Sequence, residues 1–82
     1  RSFKHAAFTQ IAFEQIRGLS VRTARFRYNV WHGLGGGEEL YDHDADSGEF
    51  VNLAGKPRWA NELERHRAIA RQYGLQRAFG KG

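Results

Sequence analysis

Residues 21–32, VRTARFRYNVWH, carry the most chemically suggestive spacing in the chain. Taken two at a time, Arg25, Arg27, Asn29 and Trp31 fall on one side, and Ala24, Phe26, Tyr28 and Val30 on the other. That is the alternation of a half-buried β-strand. Guanidinium groups beside an indole suit a phosphate backbone with stackable bases. Arginine's planar fork grips phosphate through two bonds, and an aromatic plate holds a base for about 1–3 kcal/mol. Arg22 precedes the run, and Arg67 and Arg71 add basic positions further on. Together Arg22, Arg25, Arg27, Trp31, Arg67 and Arg71 form a candidate nucleic-acid surface. The plain alternative is a solvated face whose arginines pair across strands with Glu38, Glu39 or Glu49.

A second set is His32, His43 and Glu49. Histidine is the side chain most easily poised for proton transfer near neutrality. Metal-independent RNA cleavage needs a general base, a general acid and a cation on the phosphate. These three residues with Arg25 or Arg27 supply those types, provided that they converge. His32 and Arg27 have opposite parity in an unbroken strand, so convergence requires a bend near Gly33. The plain reading is isolated surface histidines.

Asp42, Asp44 and Asp46 have D-x-D-x-D spacing. A calcium loop of the EF-hand type wants Gly at its sixth position and Glu at its twelfth. Here those positions are Ser47 and Leu53, so the expectation is turn carboxylates and no metal site. The run Gly33-Leu34-Gly35-Gly36-Gly37 is followed by Glu38 and Glu39 rather than the Lys-Ser/Thr pair of a phosphate loop. It reads as a mobile connection. His66 lies on the apolar stripe of the last helical segment, where a hydrogen-bonded core role is expected.

The elements that must position these groups follow from periodicity and punctuation. Phe3, Ala7, Phe8, Ile11, Ala12 and Ile16 make an apolar stripe that predicts a helix over 3–17, with Gly18-Leu19 as its C-terminal cap. Three strands are expected within 21–53: the organising strand, a strand over 38–43 and a strand over 49–53, the last two joined by the turn chemistry of 44–48. Pro57 suits the first position of a helix over 57–73, and Gly74-Leu75 repeats the Gly-Leu ending. Residues 76–82 read as a basic tail. The expected fold is α+β, in α-β-β-β-α order, with a three-stranded antiparallel sheet and two helices on one face. It is expected to form one small domain over 1–82.

One further likeness bears on residues 17–31. The run Gly18-Leu19-Ser20-Val21-Arg22-Thr23 is similar to the turn and recognition helix of the MerR and LuxR families, and Glu39-Leu40-Tyr41-Asp42 resembles a MerR wing. The likeness covers about a quarter of the chain. It implies a helix, rather than a strand, along the Val21, Ala24, Tyr28, Trp31 spacing.

The totals bound these readings. A chain of 82 residues buries only roughly 60% of its unfolded surface, so each aromatic counts. With 40% hydrophobic and 27% charged residues it is not a disordered chain. Net charge of +4 points to a polyanionic partner. Zero Cys excludes a disulfide framework and a thiolate metal site. No apolar run reaches membrane length and no signal peptide is visible. The start at Arg1 and the absence of Met read equally as a piece of a longer polypeptide or as a chain whose initiator was removed. The functional expectation is a module that binds RNA or DNA, with no cofactor and no membrane partner. The alternatives are a small metal-independent ribonuclease, of the toxin-domain kind, and a protein-interaction domain that engages an acidic partner through Trp31 and Tyr41.

Overall fold

A computed structural model describes residues 6–79, with side chains through residue 74. Strands β1 (Ala7–Phe13), β2 (Ile16–Arg22), β3 (Phe26–His32) and β4 (Gly37–Asp42) come first. A short 3-10 turn, Pro57–Trp59, then leads into one helix, α1 (Ala60–Phe79). The sheet is an antiparallel meander in the order β1-β2-β3-β4. The expected α-β-β-β-α order with three strands and two helices is therefore corrected to four strands and one helix.

The first difference lies at the N-terminal end. Ala7, Phe8, Ile11 and Ala12 fit a helical stripe, but Phe8, Thr9, Ile11 and Phe13 are also the residue types that strands favour. Pairing decides the matter. β1 and β2 form a continuous ladder from Ala7↔Arg22 to Phe13↔Ile16. Glu14, with φ of 51°, opens the two-residue turn between them, a backbone region suited to hairpin twist. Arg17 Nη1 donates to the carbonyls of Glu14 and Ile16, both at 2.9 Å, and holds that turn. Gly18 is no helix cap but a mid-strand position. A Cβ there would lie 3.1 Å from Trp31 Cβ and 3.0 Å from the Val30 carbonyl oxygen. Residues 1–5 of the expected helix lie outside the described residues.

Residues 21–32 are divided by a turn at 23–25, closed by Thr23 N–H on the Phe26 carbonyl at 2.9 Å. The helix implied by the MerR and LuxR likeness is thus replaced by the end of β2 and all of β3. Within β3, Phe26 and Tyr28 are buried and Val30 is half-buried. Arg27, Asn29 and Trp31 lie on the opposite face. Ala24 and Arg25 belong to the turn.

The strand expected over 49–53 does not form. Glu49 sits at φ 59°, and Asp46 accepts the amides of Phe50 at 3.1 Å and Val51 at 2.8 Å. Those amides are then lost to any ladder. Asp42 likewise accepts the Asp44 amide at 3.0 Å, so these aspartates are turn carboxylates. The loop rejoins the sheet through Leu53 N–H on the Leu40 carbonyl at 2.8 Å. Pro57 opens the 3-10 turn that precedes α1. The helix continues past Gly74, expected as its end, to Phe79. The expected tail is helical through residue 79 and its residues 80–82 lie outside the described residues.

Packing follows from this topology. Val21, Tyr28 and Leu40 face α1, whose Leu63, His66 and Ile69 descend at helical spacing onto them. Leu53 closes the cluster from the loop and Phe26 from the start of β3. Burying each such large side chain contributes about 1.5–3 kcal/mol. Phe26 meets Trp59 edge-on at 5.8 Å, and Phe8 stacks on Tyr73 at 4.2 Å and 12°. Among the described residues no helix is long and apolar enough to cross a membrane.

Candidate functional site

The polar groups sort into three closed clusters and one open rim. The first cluster joins the turn before β3 to the end of β4. Arg25 donates from Nε to Asp42 Oδ1 at 3.0 Å and from Nη2 to Oδ2 at 2.7 Å, a bidentate pair. The Asp42 side chain is only 6% exposed. Arg25, reinforced by the Asp44 and Ala45 amides, outweighs burial and holds the carboxyl down at about 2. The guanidinium also lies over the Phe26 and Trp59 rings at 5.2 and 5.7 Å.

The second cluster occupies the sheet face away from α1. Arg27 stands directly opposite Arg22, and like charges so placed repel. Arg27 turns instead to Glu49 Oε2 at 2.6 Å and Ser20 Oγ at 3.0 Å. Arg22 donates to the Thr23 carbonyl at 3.3 Å. His43 Nε2 reaches the same Glu49 oxygen at 2.5 Å. Burial opposes ionisation of Glu49, but His43 and Arg27 together hold its carboxyl below the usual range.

The third cluster spans the helix and sheet. Arg67 makes a bidentate pair with Glu38, with Arg67 Nε to Oε1 at 3.0 Å, and Tyr28 donates its hydroxyl to Oε1 at 2.8 Å. Arg67 chiefly, and then Tyr28, lower the Glu38 carboxyl against the effect of burial. Burial, followed by Glu38, pushes the Tyr28 hydroxyl well up. His66 is separate and fully buried. Its Nδ1–H donates to the Glu62 carbonyl at 2.9 Å, which leaves Nε2 to accept from Thr23 Oγ1 at 2.9 Å. Burial lowers its affinity for a second proton.

The open rim lies at the other end of β2 and β3, where Arg17 and His32 are cross-strand partners on the α1 side. With Arg67 and Arg71 they edge a groove of about 470 Å³ floored by Leu19, Val30 and Ala70. On the far face, Trp31 lies between Gly18 and Gly37, its cross-strand neighbours. A Cβ on Gly37 would come within 2.5 Å of the indole.

The candidate residues are therefore scattered. His43 and Glu49 meet each other and Arg27, whereas His32 stands at the opposite end of β3 and on the opposite face. Arg25, Arg27 and Arg67 are bound to carboxylates, and Arg71 pairs with the exposed Glu64 at 3.2 Å. Tyr41, the expected partner anchor, is buried. Among the described residues no group of three or more His, Cys, Asp or Glu side chains could hold a metal ion. The pairing of Arg27 with Glu49 was among the partners that the sequence offered; what it missed is Asp42 as the acceptor of Arg25, Glu38 as the acceptor of Arg67, and the hydroxyls of Ser20 and Thr23. Opposed charges on neighbouring strands hinted at pairing without saying which would pair.

No protein-family profile matches the chain. It is 46% identical over 57 residues to a Delta 4,5-hexuronate-2-O-sulfatase of Bacteroides thetaiotaomicron, a match covering 68% of this chain and 11% of that protein. The fold superimposes on a 2-O GAG sulfatase with a TM-score of 0.80 and 30% identity, over 92% of this chain and 17% of that one. A second solved structure, of a proposed sulfatase from Bacteroides thetaiotaomicron, gives a TM-score of 0.77 and 32% identity, over 88% of this chain and 16% of that one. The chain thus spans about a tenth to a sixth of the proteins that it matches.

These likenesses correct the functional expectation. A nucleic-acid-binding module, a ribonuclease of the toxin kind and an acidic protein partner all give way, because the similar proteins are sulfatases. The geometry supplies the physical reason. Of the arginines expected to grip phosphate, Arg25, Arg27, Arg67 and Arg71 already grip aspartate or glutamate and Arg22 donates to a backbone carbonyl, and the histidines expected to cooperate are separated by the length of a strand.

Proposed function

We propose that this chain is a segment of a sulfatase that removes sulfate from the 2-O position of a uronate in an acidic carbohydrate. The observation that supports the reading best is the agreement between sequence and fold. A 57-residue run at 46% identity and superpositions at TM-scores of 0.77 and 0.80 lead to the same class of enzyme. In that enzyme the four strands and α1 act as a folded buttress that frames the substrate. Cleaving a sulfate ester requires a nucleophile on sulfur and a proton for the departing alkoxide. The histidines and carboxylates described here are dispersed or ion-paired, so those groups come from the remainder of the enzyme.

The test is sulfate release by the polypeptide that carries this chain. A disaccharide with a 4,5-unsaturated, 2-O-sulfated uronate should yield free sulfate, measured by ion chromatography, and its 6-O-sulfated isomer should yield far less. Absence of release from either substrate would overturn the proposal.

A further inference from the structure

We infer that the groove between α1 and the open ends of β2 and β3 is a subsite for an anionic saccharide. The inference rests on the carbohydrate reading above and adds where this segment touches the chain of sugars. The groove encloses about 470 Å³, within the range of roughly 300–1,000 Å³ typical of small-molecule sites. A second hollow of about 470 Å³ shares Arg17, Gly18 and Leu19 with it and is lined also by residues of β1 and by Gly74.

The lining suits such a ligand. Leu19, Val30 and Ala70 offer an apolar floor, and Arg17, His32 and Arg71 stand around it. Among the described residues no carboxylate lines the groove. Arg67 is neutralised by Glu38, and Glu64 is shared between Arg67 and Arg71 at 3.3 and 3.2 Å. Glu64 is 58% exposed, so water screens its hold on Arg71. Arg17 differs from Arg25, Arg27 and Arg67, each of which is held by a carboxylate. Its Nη1 donates to two backbone carbonyls, and among the described residues it pairs with no carboxylate. The anchored Nη1 fixes the fork, while Nε and Nη2 remain as donors. A sulfate or uronate carboxylate is the group that such a fork binds through two bonds.

The experiment uses the whole polypeptide and surface plasmon resonance on immobilised 2-O-sulfated glycosaminoglycan. Arg17→Gln and Arg71→Gln should each weaken binding roughly tenfold, the size expected for losing a charged hydrogen bond. Arg65→Gln is the control, since Arg65 carries the same charge on α1 but pairs with Glu62 outside the groove; it should leave binding within about twofold. Equal losses in all three variants would reduce the effect to general charge and overturn the subsite. So would unchanged binding in the Arg17 and Arg71 variants, including the case in which another part of the same polypeptide fills the groove and those variants lose thermal stability instead. The two proposals separate cleanly. Sulfate release with binding indifferent to Arg17 sinks the subsite alone, whereas Arg17-dependent binding without sulfate release sinks the sulfatase reading alone.

Discussion

β3 begins and ends in opposite circumstances. At Phe26 the neighbouring arginine is clamped by Asp42, stacked over two rings and backed by the buried Thr23–His66 contact. At His32 the cross-strand arginine is fastened only to backbone carbonyls and faces an open groove. Both ends have an arginine next to apolar surface. What separates them is whether the fold supplies a carboxylate. A charge that the protein has already neutralised serves stability, and one left with free donors is available to a ligand.

That contrast can be broken by mutation, starting from the largest effect. Leu40→Ala removes a fully buried core side chain beside its cross-strand partner Tyr28 and should cost about 2–5 kcal/mol of unfolding free energy, measured by urea denaturation. Thr23→Val leaves His66 Nε2 buried without a donor and should cost about 1–3 kcal/mol. A loss as small as that of a surface substitution would mean that the closed end is not closed.

Acid should act at the same end. His66 is held below its ordinary value of 6.5 by burial, so the unfolded chain takes up a proton that the folded chain refuses. Stability from this group is present above pH 6.5 and falls as the pH drops below it. His66→Gln should flatten unfolding curves between about pH 7 and 5. Asp42 works lower down: its folded value of about 2 lies under its ordinary 3.8, so its contribution is intact above about pH 4 and is lost as the pH falls through 2. An Asp42→Asn variant should lose that acid limb of the stability profile. The smallest effect belongs to the open end, where Arg17→Gln removes two exposed bonds to the β1–β2 turn and should cost about 0.5–1 kcal/mol. A larger loss would show that Arg17 is structural after all.

Some of this was legible in the sequence. The alternation of Phe26, Tyr28 and Val30 against Arg27, Asn29 and Trp31 is a period-two signal that prevailed over the helical spacing of Val21, Ala24, Tyr28 and Trp31, and Pro57 marks the helix entry. Residues 7–13 were not legible, because Ala7, Phe8, Ile11 and Ala12 satisfy a helical stripe and a strand ladder equally, and only pairing with β2 separates the two. Gly18 misled for a related reason. A glycine before a leucine signals a helix end, but it equally marks a place where a bulky neighbour lies against bare backbone. The site was harder still. Arg25 and Asp42 are 17 positions apart, and Arg67 and Glu38 are 29. Nothing local says which acid will quench which base, so an arginine-rich stretch reads as a polyanion surface until the fold assigns its partners.

Trp31 resting in the space left by Gly18 and Gly37 has a consequence for alignment. The smallest slip of β3 that keeps its greasy side inward is two positions. Such a slip would carry the indole from its notch onto Ser20 or Ile16 of β2, where a side chain already stands. The ring and its two bare neighbours thus act as a tooth and its gap, admitting one setting of three adjacent strands and rejecting the next. It is this setting that brings Arg17 level with His32.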